Sequence, residues 1–200
     1  LLARSAQSDG GYVVGVLGPT GAAMSEGDYR QVYGEQIRAL LDASIDDFCV
    51  ETVVSSKEGF NAVRAIRELT DLSIILSFAE KRLKPDLVTL SGERFSDVVS
   101  RAAGEGVDVV GVNCVDYALV SEAVGVIQAA CDLPVYASPN AGLPILVGDG
   151  ATYDEDQESH SRRTCSLIDG GVRLFGGCCG TGSEYIRHMA IILSQNPMVK

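Results

Sequence analysis

Short apolar, β-branched runs alternate with longer segments whose apolar residues recur every three or four positions, along the whole 200-residue chain. Runs of the first kind suit strands buried on both faces, and the three-to-four period suits helices with one buried face. The alternation predicts six consecutive βα units and a parallel sheet. Strands are expected over residues 12–17, 48–52, 73–77, 108–113, 134–137 and 172–175, with helices near 26–44, 56–69, 94–105, 118–130, 157–169 and 182–194. Ile37, Leu40 and Leu41 form one such helical face. Ser25, Ser55, Ser56 and Ser183 stand where N-caps belong, and Asp28, Glu58, Asn61 or Glu184 follow closely to meet the positive helix end. Residues 79–91 read as a polar loop after the third strand, and 138–156 as a second long loop carrying Pro, Asn, Gly and acids.

Six βα units admit two architectures: a (β/α)8-type (TIM) barrel that is incomplete, or an open doubly wound parallel sheet. Length favours the open sheet, since a barrel typically takes about 250 residues. No Pro-rich or Ser-rich linker divides the chain, so residues 1–200 read as a single domain. Sixteen Lys and Arg against 27 Asp and Glu leave a net charge of −11. That charge repels nucleic-acid phosphates and anionic lipid, so neither is expected as a partner. Nothing approaches the roughly 20 apolar residues of a membrane helix, and no signal-peptide pattern opens the chain. A cytoplasmic location is expected.

Parallel sheets gather ligands at the carboxyl ends of their strands. Those ends read Gly18-Pro19-Thr20, Glu51-Thr52, Ser77-Phe78, Asn113-Cys114, Ser138-Pro139-Asn140-Ala141-Gly142 and Gly176-Gly177-Cys178-Cys179-Gly180-Thr181. Cys114, Cys178 and Cys179 therefore share one face, arriving from two strands separated by a third. Three thiols with one coordination position free are the donor set of a catalytic zinc site, so Zn2+ is the expected cofactor. Cys49, Cys131 and Cys165 lie within a strand or on helices and read as small buried hydrophobes. His160 and His188 fall on helical segments and read as surface or packing residues, as do Tyr12, Tyr29 and Tyr33.

The G-V-N-C strand end paired with a G-G-C-C-G-T loop resembles the homocysteine S-methyltransferases. Gly18-Pro19-Thr20 is similar to the family's G-P segment, Val50-Glu51-Thr52 to its E-T strand end, and Ser138 to Pro144 to its P-N-A-G-L-P loop. The likeness runs from about Gly11 to Ala190 and favours the barrel. It implies Cys114, Cys178 and Cys179 as zinc thiolates, Glu51 as the residue binding the homocysteine amino group, Asn140 beside the metal, and Gly18 as part of the substrate-binding rim. The implied reaction moves a methyl group from a donor to homocysteine, giving methionine. On the residues alone, Glu51 could instead pair with an arginine, Asn140 could brace its own Asx turn, and Gly18 and Pro19 could be only a turn.

The family barrel opens with a D-G-x-x-G-like strand end and a T-N-x-F-like second strand end, and neither is found here. Asp9-Gly10-Gly11 precedes a strand rather than following one. By order, the chain supplies strands three to eight. A barrel lacking roughly 70 residues at its start, or one completed by a partner or a second copy, is expected; Leu1-Leu2-Ala3 without Met agrees with the first. Two other readings stand beside the methyltransferase: a non-catalytic zinc- or thiol-binding module, and a doubly wound binding domain with structural cysteines.

Overall fold

A computed structural model describes residues 2–7 and 10–195. In chain order the elements are α1 (Leu2–Ala6), β1 (Val14–Leu17), α2 (Glu26–Asp42), β2 (Asp47–Val53), α3 (Ser56–Arg67), β3 (Ile74–Phe78), β4 (Glu80–Leu83), β5 (Asp86–Thr89), α4 (Phe95–Ala102), β6 (Val109–Asn113), α5 (Tyr117–Ala130), β7 (Val135–Ser138), β8 (Ile145–Val147), β9 (Gly150–Thr152), α6 (Gln157–Ser166), β10 (Val172–Phe175) and α7 (Ser183–Gln195). Side-chain caps hold several helix starts: Ser25 accepts from the Asp28 amide, Ser55 from Glu58, Asp116 from Ala118 and Leu119, and Asp156 from Glu158 and Ser159. Ser56 and Ser183 are instead the first residues of α3 and α7.

One six-stranded sheet runs β1-β2-β3-β6-β7-β10, and every neighbouring pair is parallel. The strands follow chain order without the reversal that a doubly wound sheet requires. Right-handed crossovers taken always in one direction put the helices on one face and leave the other to line a barrel. The fold is thus the (β/α)8 type with six units, and among the described residues β1 and β10 remain unpaired edges.

The two faces of the sheet differ in chemistry. Outward-facing Phe48, Val50, Ile74, Leu76, Val110, Val112, Val135 and Ala137 pack with helical Ile37, Ile66, Val99 and Ile127 in one apolar core. The register places Val16, Cys49, Ile75 and Val109 on the inner face, then Ser77, Gly111 and Tyr136, then Asn113 beside Ser138. The inner face becomes polar toward the carboxyl ends. A Cβ on Gly111 would lie 2.6 Å from the Tyr136 carbonyl oxygen, so only glycine leaves room for Tyr136 beside it. Val16 is 51% exposed, on a strand that has no neighbour on its outer edge among the described residues.

Three segments differ from the sequence expectation. Residues 79–91 form the antiparallel hairpin β4–β5, pairing Glu80 with Thr89 and Leu83 with Asp86, its strands too short and charged to show a period. The 138–156 loop contains a second hairpin, β8–β9, turning through Gly148 at φ 60° and Asp149. Its Ile145, Leu146 and Val147 are exposed. β1 begins at Val14 rather than residue 12, leaving Tyr12 exposed. Asp9 of the Asp9-Gly10-Gly11 segment lies outside the described residues.

Tyr29 and Tyr33 are buried packing residues, and Tyr33 has a further role. The buried Glu58 Oε1 accepts from the Thr20 amide at 2.7 Å, the Thr20 hydroxyl at 2.7 Å and the Tyr33 hydroxyl at 3.0 Å. One carboxylate thereby fastens the β1–α2 loop to α3. Burial, then the charge of Glu58, pushes the Tyr33 phenol upward. Glu58→Ala leaves the Thr20 amide without an acceptor and the Tyr33 and Thr20 hydroxyls with only Gly18 O and Ala22 O, and urea denaturation is expected to register a loss on the order of 1 to 3 kcal/mol.

Candidate metal centre

Asn113, the last residue of β6, organises the carboxyl-terminal rim. Its Oδ1 accepts from the Thr52 amide at 2.9 Å and from the Ser77 hydroxyl at 2.7 Å. Its Nδ2 donates to Thr52 Oγ1 at 2.8 Å and approaches Cys178 Sγ at 3.8 Å. A single buried amide thus joins the ends of β2, β3 and β6 to the loop after β10. Thr52 and Cys114 both adopt left-handed backbone, at φ 57° and 63°. Such conformations cost non-glycine residues about 1 to 3 kcal/mol and persist only where surrounding bonds fix them. The Asn113 bonds hold Thr52, and the Cys114 amide donates to Ser138 O at 3.2 Å.

The loop after β7 supports the vicinal cysteines. Pro139 O accepts from the Cys178 amide at 3.0 Å, and the Ala141 amide donates to Cys179 O at 2.9 Å. Asn140 Oδ1 accepts from the Cys179 amide at 3.1 Å. The Sγ atoms of Cys114, Cys178 and Cys179 consequently lie within 4.8 Å of one another, with Cys114 and Cys179 at 3.7 Å. All three thiols reach a common point, and none is fully buried or spent in a disulfide. This donor set fits a thiophilic divalent ion.

The cluster polarises its own protons. Cys114 donates to Cys178, holding the Cys178 thiol at about 6, with the Asn113 amide contributing in the same direction. The donor's own proton is correspondingly held, so Cys114 is pushed far upward. Burial, then the charge of Cys178, raises the Glu51 carboxyl. Glu51 shares the inner face with Cys49 and has no hydrogen bond or ion pair to its carboxylate among the described residues. The arginine partner considered from sequence is therefore missing from that set.

The other sequence candidates take different positions. Asn140 is buried and its side chain binds the Cys179 backbone, linking loop to loop beside the thiols rather than closing an Asx turn. Gly18 sits at the end of β1, its carbonyl accepting from Tyr33 at 3.1 Å, and no hydrogen bond ties it to the thiols. Cys49 is buried on the inner face, where burial pushes its thiol up to about 12. Cys165 is buried in α6 and Cys131 ends α5.

Sequence reasoning missed Tyr136, Tyr153 and the role of Asn113. Strand alternation could have found two of them, because Asn113 is two residues from Gly111 and Tyr136 two from Ser138. Tyr136 lies within electrostatic range of Cys49, Glu51 and Cys178. Tyr153 follows β9 and lies within electrostatic range of Cys179, Cys114 and Cys178. No periodicity marks a residue on an irregular loop.

The homocysteine S-methyltransferase family profile matches residues 1–193. Methionine synthase of Mycobacterium leprae is 30% identical over 193 residues, covering 92% of this chain and 16% of the relative; that of Mycobacterium tuberculosis is 30% identical over 188 residues, again covering 16% of the relative. The chain thus spans about a sixth of the length of these relatives. Among solved structures, the apo homocysteine methyltransferase MmuM of Escherichia coli superposes with TM-score 0.72 at 24% identity, covering 90% of this chain and 62% of that one. The metallated form gives 0.72 at 22% identity, covering 95% and 64%.

In chelator-treated protein, alkylation of Cys178 followed by peptide mass mapping is expected to rise through a midpoint near pH 6, well below the ~8.5 of a free thiol. The thiolate persists above that pH and is lost below it. Asn113→Ala removes one stabilising donor, so the midpoint should move upward.

Proposed function

Because the chain belongs to the homocysteine S-methyltransferase family, we propose that it carries the metal and thiol half of a zinc-dependent transfer of a methyl group to homocysteine, giving methionine. The observation that carries this reading is the convergence of three Sγ atoms within 4.8 Å on the rim of a barrel-type sheet. Cys114, Cys178 and Cys179 would hold Zn2+, which when bound supplies the Lewis acidity that keeps a substrate thiol ionised at neutral pH. Asn113 orients Cys178 through its Nδ2, and Asn140 fixes the Cys179 backbone. Glu51, unpartnered and inward-facing, is positioned to accept hydrogen bonds from the homocysteine ammonium, whose charge would offset the burial that raises its carboxyl. Gly18, at the same rim, presents backbone toward the substrate. The reaction forms a bond from homocysteine sulfur to the methyl carbon and breaks the bond from that carbon to the donor, which leaves with the electron pair.

Two readouts test the proposal. Elemental analysis should give about one zinc per chain, and Cys178→Ala or Cys114→Ala should lose it, because two thiols make an incomplete site. Methionine formation from homocysteine with a panel of methyl donors should fall at least about a hundredfold with either variant. Zinc retained by Cys178→Ala would overturn the assignment.

The open inner face favours a second reading, in which the chain alone binds zinc and thiol without turnover. Val14 and Val16 lie where an adjoining strand would cover them, and an uncovered edge invites pairing. We propose that added strands, from a partner or a second copy, complete the wall. Light scattering should then give a mass above 21.1 kDa, and Val16→Lys should lower it. Zinc binding without methionine formation, in a monomer, would favour the second reading.

A further inference from the structure

Residues 153–155, which follow β9, join three separate parts of the thiol rim. Tyr153 is half-buried, and its side chain lies on Gly180, the residue after Cys179. A Cβ on Gly180 would stand 2.6 Å from Tyr153 Cβ and 2.7 Å from its ring Cδ2, so the tyrosine fills the space that any larger residue would need. Asp154 stands against Gly142 in the same manner, its Oδ1 2.9 Å from a Cβ built there. The Glu155 amide donates to Ala141 O at 3.3 Å, and Glu155 O accepts from the Tyr185 hydroxyl of α7 at 2.8 Å. Three consecutive residues thus touch the cysteine turn, the 139–142 loop and α7.

The cysteine turn is bonded from its other sides. Thr181 closes it, its amide and its hydroxyl donating to Cys178 O at 3.1 and 2.6 Å. Residues 139–141 add the three bonds described above to Cys178 and Cys179. None of these bonds is made by Gly180, which has left-handed backbone at φ 82°. Glycine moves between such conformations at little cost, so Gly180 is the free joint of the turn. The Tyr153 side chain closes that freedom by occupying the space beside it. Groups placed behind metal ligands orient them, and losing one typically costs 10- to 100-fold in affinity.

We infer that Tyr153 is a positioning residue for the vicinal cysteines: its ring, packed on Gly180, holds the 177–181 turn in the form that carries Cys178 and Cys179 to Cys114. The metal-affinity part rests on the proposed zinc site; the turn-positioning part does not.

Tyr153→Phe keeps the ring, whereas Tyr153→Leu keeps an apolar side chain without it. In chelator competition with the full chain, the Leu variant should bind zinc about tenfold or more weakly, and the Phe variant should stay within threefold of the parent. In metal-free protein, amide hydrogen exchange at Cys178, Cys179 and Thr181 should quicken several-fold in the Leu variant and stay parental in Phe, while the Phe48 and Val110 amides of the sheet keep their rates in both. Equal behaviour of the two variants in both assays, or quickening in the sheet as large as in the turn, overturns the inference. If the Leu variant does not fold, proton NMR of the parent decides: nuclear Overhauser contacts between the Tyr153 ring and the Gly180 α-protons are expected, and their absence refutes the assignment. Failure of the parent to bind zinc would refute the proposed function, while amide exchange and the ring contacts would still judge Tyr153.

Discussion

The site depends first on the Asn113 side chain. An amide offers two donors and two acceptor lone pairs, and here it serves the backbone and hydroxyl of Thr52, the hydroxyl of Ser77 and the sulfur of Cys178. Buried, it cannot exchange these partners for water without penalty, so the strand ends are fixed relative to one another. Aspartate would lose both donors. An apolar residue of similar size would leave the Thr52 amide and Ser77 hydroxyl unpaired.

The arrangement is possible because stability and chemistry occupy opposite faces of one sheet. Apolar residues turned toward the helices build the core, which leaves the inner face free to carry Cys49, Glu51, Ser77, Asn113, Tyr136 and Ser138. Strands in chain order then bring turns distant in sequence together, Cys114 and Cys179 being 65 positions apart. Among the described residues, no helix is long and apolar enough to cross a membrane.

Much of this was legible in the sequence because it follows from repetition. The βα alternation gave the six strands of the sheet, and capping serines marked two helix starts. Cysteines at strand ends were recognisable as a group because strand ends share a rim. The hairpins β4–β5 and β8–β9 were not, since strands of three or four residues carry too little alternation to separate from a loop. His160, expected at the surface or in packing, is a packing residue, and it is Tyr185 of a later helix that its ring meets edge-on. Tyr153 and Glu58 likewise owe their roles to partners far along the chain.

The left-handed residues at 52 and 114 have a geometric consequence. A regular strand sends alternate side chains to opposite sides, so one strand can offer the barrel mouth only every second residue. The twist at Thr52 lets Glu51 and Thr52 look inward together, and that at Cys114 does the same for Asn113 and Cys114. Two staves of the wall, separated only by β3, each deliver two consecutive groups to one small volume, doubling the density of chemistry that flat pleating would permit.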